Sequence, residues 1–537
     1  MADFSRADGN DSDPIPPIEI GSFVALRPDK SEFIGSASGV FFTNTVFRAF
    51  ASSEDATSNA TQSTVPVDPG SSHNCLVAVE NGFEQTGDDD SCPVDGSDGS
   101  ADESVYGLRN SGLGEPPPAE VAKQLLMLYF QDWHPFFPFL HGPTFFDQVS
   151  SIYEHGSGQQ PDTRGSRPPN LRRKVCQAVT FQCIFNTVAS SPPTRDLVPP
   201  ACRIKSVSSL MNHLGMLSSC NDMEALQALL AMQLFLMTRM SLRAASTVRG
   251  VLTQGLYQAG LHRCPYRYAQ FSPETCNTRQ RVFWCAYILD RQISQYLGHP
   301  PALKDDEIDV CIPNMQELHR PAESRIAQDS EVGDVQAHLP RSPDDLAQLG
   351  VDVATTLGAR AAEDQVDLQS HVQNHQASPE KAGGYTLGYL VTYSKLLSTA
   401  LSLFHQSIHN RRITRRTVTD LTYRIHSWWN SLPMALQEDS TSGSSTRYSS
   451  FFGVLYHYLI ILINRPFLSL PTHRIDFRSS MQSAIVASRA VVRALEASKD
   501  HGILSSWPAA LSATWMSGLV LSYASLLEMY PLEKTSV

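Results

Sequence analysis

The chain has 537 residues, of which 42% are hydrophobic and 18% are charged. This composition is typical of a soluble folded protein, and the length allows about two to four domains. Its 42 Lys and Arg residues against 54 Asp and Glu residues give a formal net charge of −12, which argues against DNA binding by this chain alone, because phosphate binding depends on clustered Lys and Arg.

Two disordered segments are predicted near the N-terminus, residues 1–32 and residues 51–118, with a short separate segment at residues 33–50 between them. The first lacks the apolar stretch of a secretory signal. The second contains the acidic run GDDDSCPVDGSDGSADES and closes in a run of prolines, and such a composition buries too little apolar surface to offset the entropy lost on ordering. A solubilising spacer is the favoured interpretation of this linker, and an acidic activation segment is the alternative.

A helical domain is predicted from residue 119, and its first part extends over residues 119–313. Glu120–Trp133 has apolar residues at helical spacing. Pro135 and Pro138 then predict an extended turn, because a residue that precedes proline avoids the α region.

A central helix is predicted over Met223–Met237, which is apolar on nearly all sides and is therefore expected to be buried. Asn221 and Glu224 have the spacing of a capping box at its start. Ser246–Ala259 is its predicted partner helix, and Gly260 is the predicted stop.

The stretch Thr278–Pro313 predicts one long helix, an abrupt stop and an acidic loop. Gly298 and Pro300 mark the stop, since glycine tolerates a left-handed turn and proline cannot continue a helix. Asp290 and Arg291 follow an apolar helix face. We expect them to form a buried or half-buried ion pair that holds helices in register, and a ligand contact is the alternative.

Residues 314–382 are predicted to be a disordered insertion, because a polar run of that length inside a domain rarely has structure of its own. The second part of the helical domain, residues 383–530, resumes the helical pattern, and no strand pattern with hairpin chemistry stands out. The fold class predicted is therefore all-α. The uncharged stretch Ile503–Leu527 is interpreted as a buried helix and not as a membrane anchor. The other helices predicted in this part are Tyr385–Leu403, Thr417–Leu432, Phe451–Ile463 and Met481–Leu495.

No catalytic, metal or cofactor site is predicted. The ten cysteines are scattered without a C-x-x-C pair and are expected to be reduced core residues. The sequence has no G-x-G-x-x-G, P-loop, H-E-x-x-H or G-x-S-x-G motif, so no enzyme activity is expected. His134 and His141 flank a Phe-Pro cluster and are interpreted as histidines hydrogen-bonded within a tight turn.

Two short basic clusters have two possible interpretations. They are Arg172-Arg173-Lys174, and Arg411-Arg412 together with Arg415-Arg416. Either cluster can be a nuclear-import signal, and either can be a solvated helix face.

Several segments, in chain order, carry a common set of motifs. They are LLMLYFQDWHPFFPFLHGPTF at Leu125–Phe145, the helix pair that ends in GLHR, the helix and acidic loop at Thr278–Pro313, and FFGVLYHYLIILINRPFL at Phe451–Leu468. Together they resemble the middle homology region of fungal zinc-binuclear-cluster transcription regulators, of the xylanolytic-activator type. The segment FIGSASGVFFTNTVFRAF, Phe33–Phe50, is similar to one that such regulators carry upstream. The residues that match the motifs, and that the resemblance marks as structural, are His134, Pro135, His141, Gly260, His262, Arg263, Trp284, Asp290, Arg291, Asp306, Asp309, Arg465 and Pro466.

The resemblance implies a nuclear regulator of RNA polymerase II transcription, specific for a pathway or gene cluster, whose helical region is regulatory and senses an effector. It implies DNA, a coactivator or corepressor, a small-molecule effector and a second copy of the chain as partners. In the family, a zinc cluster of six cysteines binds DNA, and a coiled coil follows it in the chain. In this sequence neither of the two is found before Phe33. We therefore expect zinc and DNA contact only through a segment upstream of this start, or DNA contact through a partner protein. The alternatives are a small-molecule-binding or catalytic helical protein, and a scaffold that only dimerises.

Overall fold

Helices form nearly all of the regular structure in the residues that the computed structural model describes. The described residues are 22–27, 30–39, 42–43, 46–47, 49–50, 112–155, 171–219, 221–313, 379–407, 411–437, 446–498 and 507–530. In chain order the helices are α1 Ala119–Asp132, α2 Gly142–His155, α3 Leu171–Val188, α4 Val207–Met211, α5 Leu214–Ser218, α6 Met223–Thr238, α7 Leu242–Gln258, α8 Pro273–Leu297, α9 Pro379–His405, α10 Arg415–Asn430, α11 Met434–Gln437, α12 Thr446–Asn464, α13 Ile475–Ala497 and α14 Pro508–Leu526. The predicted all-α fold class is confirmed.

Helix α8 lies at the centre of the helical body. Every residue from 282 to 297 is buried, because α8 packs against α6 and α7 on one side and against α9 and α14 on the other. The helices before and after it therefore share one hydrophobic core. Its position explains why this stretch has apolar residues on all sides and why its few charged residues need partners.

The predicted helix stops are confirmed by the backbone angles. Gly260, after α7, and Gly298, after α8, have φ of +67° and +68°, a left-handed conformation that costs glycine little. Helix α8 starts earlier than predicted, at Pro273, because the Ser272 side chain caps it by accepting a hydrogen bond from the Thr275 backbone N–H at 3.2 Å.

The predicted capping box at α6 is wrong by one residue. The cap is Asp222, whose Oδ1 accepts a hydrogen bond from the Ala225 backbone N–H at 2.9 Å. Glu224 forms an ion pair with Arg173 at 2.8 Å. Asn and Asp cap helices equally well, so sequence alone does not choose between two such neighbours.

A β-hairpin occupies part of the N-terminal stretch that was predicted to be disordered. Strands β1, Ser22–Arg27, and β2, Lys30–Ile34, are antiparallel, with Phe23 opposite Phe33. The sequence signal was the turn-favouring Pro28-Asp29 pair. Because an isolated two-stranded hairpin is marginal in water, its presence depends on β2 leading directly into a segment that packs against the helical body.

The domain boundaries also differ at two places. Residues 112–118 belong to the packed domain and not to the linker, since Leu113 is fully buried and the Glu115 backbone N–H donates to the Ala201 carbonyl at 3.0 Å. Helix α9 begins at Pro379, within the predicted insertion. The rest of the linker and insertion predictions lie outside the described residues.

Two described helices have the length and composition to cross a membrane. They are Tyr448–Ser469, whose most hydrophobic window is 83% buried within the protein, and Pro508–Leu526, whose window is 50% buried. Core helices of soluble proteins commonly have this character. The packing of α14 against α13 and α8 is consistent with the predicted buried helix.

Candidate regulatory site

The Asp290–Arg291 pair is the centre of a buried network, which we call the α8 junction. The Asp290 carboxylate accepts hydrogen bonds from the backbone N–H groups of Ala302 at 3.0 Å and Leu303 at 3.1 Å. It also pairs with Arg291 and, at 3.4 Å, with Arg249. The side chain of Asp290 is 1% exposed and that of Arg291 0%. The predicted buried ion pair is therefore present, and it fixes the chain that follows α8.

Arg291 extends the junction to the start of the acidic loop. Its Nη2 donates to the Leu303 carbonyl at 2.8 Å and lies 3.1 Å from the Asp305 carboxylate. Its guanidinium stacks on the Tyr287 ring, 4.1 Å from the ring centroid. Ser398 of α9 donates to Asp305 at 2.6 Å, so the junction connects α8, the loop and α9.

Asp305 stays ionised because its partners outweigh its burial. Burial alone would raise the pKa of Asp305, but the Arg291 charge and hydrogen bonds from Ser398 and Tyr287 lower it below its usual value. Burial raises the pKa of the Tyr287 hydroxyl. The junction therefore carries charges that compensate one another, which is the condition for keeping ions in a protein interior.

The second part of the acidic loop joins the GLHR turn through Asp309. Its Oδ1 accepts from the Cys264 backbone N–H at 2.8 Å, and its Oδ2 accepts from Arg267 at 2.6 Å. Arg263 lies 3.6 Å away, and the Asp309 backbone N–H donates to the His262 carbonyl at 3.2 Å. Of the predicted motif residues, Asp309, His262 and Arg263 thus meet in one place.

Trp284 and Asp306 have contrasting positions beside this loop. Trp284 is fully buried and its Nε1–H donates to the Cys311 carbonyl at 2.8 Å, a carbonyl that Gln280 also contacts at 2.7 Å. Asp306 is exposed, and it forms no ion pair or hydrogen bond with another residue in the described ranges. Trp284 therefore anchors the end of the acidic loop to α8, whereas no contact among the described residues assigns a role to Asp306.

The histidines of the Phe-Pro turn lie apart from the junction. The Nε2 of His134 is 3.0 Å from the Leu140 carbonyl, and burial lowers the pKa of His134 to about 4. His141 contacts the Thr144 hydroxyl at 2.8 Å at the start of α2. Pro135 lies in the turn between α1 and α2. These contacts match the predicted hydrogen-bonded histidines of a tight turn.

The segment at residues 33–50 docks in a groove that we call the N-terminal slot. The Arg465 side chain, 1% exposed, donates to the backbone carbonyls of Ser36 and, at 3.0 Å, Ala37. Arg411 donates to the Phe404 carbonyl at 3.1 Å and lies 3.4 Å from the Ser36 hydroxyl. Arg465 therefore holds a segment that lies more than 400 residues earlier in the chain.

Two glycines set the depth of this slot. A Cβ atom on Gly35 would lie 1.6 Å from the Gly298 carbonyl oxygen, and one on Gly298 would lie 2.4 Å from the Gly35 oxygen. Beyond this contact, Phe42 is fully buried and packs edge-on to Tyr523 of α14. Pro466, next to Arg465, is buried as well. The short distances at Gly35 and Gly298 mean that glycine is required at both of these positions for the two backbones to approach.

The basic clusters have folded roles where the structure describes them. Arg172 pairs with Asp222 at 2.7 Å and Arg173 with Glu224 at 2.8 Å, while Arg411 is 6% exposed in the slot. The Arg172 and Arg173 side chains are 39% and 60% exposed, which agrees with the interpretation as a solvated helix face. Arg411 fits neither interpretation, because its side chain is buried in the slot.

A cleft between α10, α12 and α13 is a candidate ligand site, with a volume of about 530 Å³. The sequence analysis named Arg415 only as part of a basic cluster and Phe451–Leu468 only as a motif segment, and it predicted no ligand site in either. The Tyr456 ring stacks on Trp429, with centroids 4.6 Å apart, and its hydroxyl lies 2.5 Å from the His426 Nδ1. The residues that line the cleft are Arg415, Val418, Thr419, Thr422, His426, Tyr456, His457, Ile460, Asn464, Phe467, Asp476, Ser479, Ser480, Gln482, Ser483, Val486 and Ala487.

Three polar side chains in this cleft have hydrogen-bonding atoms to spare. Asn464 and Ser480 are each 7% exposed. Asn464 donates to the Ile460 carbonyl at 2.8 Å, but its Oδ1, the Ser480 hydroxyl and the His457 ring form no hydrogen bond with any residue in the described ranges. These atoms line the cleft, and polar groups that converge on one cleft are typical of a small-molecule site.

The charges in the cleft are compensated or absent. Asp476 lies 3.9 Å from Arg415 and 3.0 Å from Arg474. Burial, and to a smaller extent His426, lowers the pKa of His457 to about 4, so His457 is neutral at pH 7. The cleft therefore suits an uncharged molecule that both donates and accepts hydrogen bonds.

The sequence offered one signal for this cleft that was not used. Tyr456-His457 and Asn464 are polar positions within a helix that is otherwise strongly apolar. Polar residues on a buried helix require a partner or a ligand. What could not be read from sequence was that Ser480 of the next helix faces the same space.

Comparisons with known proteins agree on one family. A family model described as the fungal specific transcription factor domain matches residues 126–437. The chain is 37% identical over 527 residues to a probable transcription factor, FUP6, of Fusarium proliferatum, which covers 96% of this chain and 72% of that protein. No solved structure matches the present chain.

More distant relatives share a smaller part of their length. The transcriptional activator protein acu-15 of Neurospora crassa is 22% identical over 356 residues, which is 65% of this chain and 31% of that protein. An ABC-transporter-regulating transcription factor of Aspergillus oryzae is 27% identical over 202 residues, which is 37% of this chain and 21% of that protein. The chain thus spans about a third of the length of the Neurospora protein and about a fifth of the length of the Aspergillus protein.

Proposed function

The chain belongs to the family of fungal-specific transcription factors and is a regulator of transcription, and we propose that it controls one pathway or gene cluster transcribed by RNA polymerase II in the nucleus. The family and the relatives are named as transcription regulators. The relative from Aspergillus oryzae carries a name that ties it to transporter genes, which supports a narrow set of targets for this chain too.

The observation that carries the regulatory mechanism is the cleft with its converging polar atoms, which have no partner among the described residues. We propose that a small-molecule effector binds between α10, α12 and α13. Asn464, Ser480 and His457 supply hydrogen bonds, and Tyr456 and Phe467 supply apolar ring faces. A few convergent polar groups in a largely apolar cavity of this volume are typical of small-molecule sites.

The effector class follows from the charges. A phosphate, carboxylate or ammonium group would bring a further charge beside Asp476, which Arg415 and Arg474 already contact, and beside a neutral His457. Partly buried charges without partners are unfavourable. The effector is therefore an uncharged ring compound with several hydroxyl or carbonyl groups.

The cleft is connected to the N-terminal slot through consecutive residues. Asn464 lines the cleft, and Arg465, the next residue, holds the Ser36 and Ala37 carbonyls. A ligand that fixes the end of α12 therefore stabilises the docked segment as well. Allostery requires that a ligand favour one of two states over the other. The two states that we propose differ in whether residues 33–50 are docked in the N-terminal slot or released from it.

The helical domain is not the part of the protein that we expect to bind DNA. The net charge of −12 and the ion-paired arginines at the start of α3 do not favour phosphate binding by the helical domain. We propose that DNA is bound through a zinc cluster N-terminal to Met1 or through a partner protein, with zinc needed only in the former case. A coactivator or corepressor and a second copy of the chain are the further partners that the family implies.

A ligand screen on the full chain tests the effector site. The panel contains uncharged hydroxylated compounds, namely catechol, quercetin, glucose and xylose, each beside a charged counterpart that carries a phosphate, carboxylate or amine. We expect an uncharged compound at 100 times its Kd to raise the Tm by several degrees, because binding to the native state alone stabilises it. H457F and N464L should abolish the shift.

The controls separate binding, catalysis and regulation. H473F changes an exposed histidine outside the cleft and should retain the shift, whereas turnover of the bound compound would favour the enzyme alternative. In cells, H457F should remove the compound's effect on a small set of transcripts. The effector proposal fails if no uncharged compound binds, or if H457F and H473F respond alike.

A further inference from the structure

Two cysteines that are distant in sequence meet beside the α8 junction. The Cys264 Sγ and Cys311 Sγ atoms are 2.8 Å apart, and both side chains are buried, at 1% and 2% exposure. They are 47 positions apart in the chain, with all of helix α8 between them. The length of a disulfide bond is about 2.05 Å, so a small movement brings the two sulfurs within bonding distance.

The contact is held by groups on both sides. The Cys264 backbone N–H donates to the Asp309 carboxylate at 2.8 Å. The Cys311 carbonyl accepts from Trp284 at 2.8 Å and from Gln280 at 2.7 Å, both on α8. The two thiols are therefore positioned by the same contacts that fix the acidic loop, and they do not meet through a chance rotation of a surface side chain.

We propose that Cys264 and Cys311 are a site of reversible oxidation, at which a hydroperoxide converts the thiol pair into a disulfide bond. One thiolate attacks the hydroperoxide, its sulfur becomes a sulfenic acid, and an alcohol, or water from hydrogen peroxide, leaves. The second thiol then attacks the sulfenic sulfur, the S–S bond forms, and the hydroxyl leaves as water. Overall, two thiols lose two electrons and two protons, and the hydroperoxide accepts them.

Access to the buried pair is provided by the turn that follows Cys264. Between α7 and α8 the described chain has only one short 3₁₀ turn, Pro265–Arg267, and the side chains of Tyr266 and Tyr268 above it are 37% and 42% exposed. Short turns of this kind open locally at a lower free energy than the core does. A small oxidant reaches the thiols in such an opening, and the bond then traps the closed loop.

The bond would cross-link the GLHR turn to the acidic loop across α8. It would restrict the unfolded chain and hold Asp309 and the residues after α8 in place. We expect the oxidised protein to have a Tm about 5 °C higher than the reduced protein, with slower hydrogen exchange at residues 261–272.

The experiment is thiol mapping of the full chain after treatment with hydrogen peroxide. Free thiols are alkylated, bonded thiols are reduced and labelled with a second reagent, and the peptides are identified by mass spectrometry. The expected result is a mass loss of about 2 Da, with Cys264 and Cys311 carrying the second label and dithiothreitol reversing the change. C264S and C311S should each prevent it, whereas C183S, at a buried cysteine of α3, should not.

Cys276 provides the internal comparison. Burial, and to a smaller extent the neighbouring Cys264, raises the pKa of the Cys276 thiol, so Cys276 should keep the first label. The proposal is wrong if both thiols of the wild-type protein keep the first label, or if Cys264 pairs with Cys276. Because the mapping is done on the wild-type chain, a serine variant that fails to fold does not affect this outcome.

Discussion

The α8 junction and the N-terminal slot each bury an arginine completely, but the two arginines hold different kinds of partner. Arg291 faces carboxylates of its own motif and of the loop that follows. Arg465 faces backbone carbonyls of Ser36 and Ala37, more than 400 residues earlier in the chain. A charge-compensated junction is costly to break because Asp290 would remain buried with only the more distant Arg249 as a cationic partner. A slot that holds neutral carbonyls opens more easily, which suits a regulatory contact.

The largest effect is expected at the junction. R291A removes the nearer of the two arginines that pair with Asp290 and the stacking on Tyr287, and it should lower the free energy of unfolding by about 3–5 kcal/mol. R291K keeps the charge but not the planar fork, so it should lose less. Urea unfolding followed by circular dichroism measures both. A loss below about 1 kcal/mol for R291A would contradict the comparison, because the junction would then be no stronger than an exposed ion pair.

An intermediate effect is expected at the slot. In G35V the added side chain would overlap the Gly298 backbone. Because backbone atoms move less readily than the end of a flexible side chain, the free energy of unfolding should fall by about 1–3 kcal/mol. Hydrogen exchange should become at least about tenfold faster at residues 35–43 and stay unchanged in α8. G453A is the control, since nothing lies within 4 Å of its added Cβ. Equal exchange in α8 and in the slot would show that they open together.

The smallest effect is expected from pH. His405 ends α9 beside Phe404, whose carbonyl accepts from Ser36 and Arg411 in the slot. Burial, and then the nearby charges of His299 and Arg411, lower the pKa of His405 to about 4. The unfolded state therefore binds the proton more tightly, so the stability that neutral His405 contributes is complete above about pH 6.5 and is lost as the pH falls towards 4. Asp305 has a lowered pKa, so its contribution is lost only below the usual titration range of an aspartate.

Acidification from pH 7 to pH 5 should thus destabilise the slot by about 1 kcal/mol, discounted for partial exposure, and leave the junction intact. Hydrogen exchange at residues 35–43, corrected for the intrinsic pH dependence, should rise relative to α8. H405Q should remove this difference, whereas H473Q, at an exposed site, should preserve it. If hydrogen exchange at pH 5 increased more in α8 than at residues 35–43, the prediction that the slot is the acid-sensitive region would be wrong.

The predictions from sequence succeeded where a local rule applies. The Asp290–Arg291 pair was found because two charged residues within an apolar helix must compensate each other, and Gly260 and Gly298 because a helix commonly ends in a left-handed residue. The error at the α6 cap shows the limit of such rules, since Asn221 and Asp222 satisfy the same rule and only the backbone path selects one. The hairpin was missed because its stability depends on the docked segment.

The sequence by itself determined the all-α class, most helix positions and the family, because helical periodicity, caps and motif order are properties of neighbouring residues. Tertiary structure alone decided that Arg465 binds the Ser36 carbonyl, that Ser480 and Asn464 share a cleft, and that Cys264 meets Cys311. Each of these contacts joins residues on different elements. Their distance is set by how helices pack around α8 and by the space that side chains leave, and neither quantity can be read from one element alone.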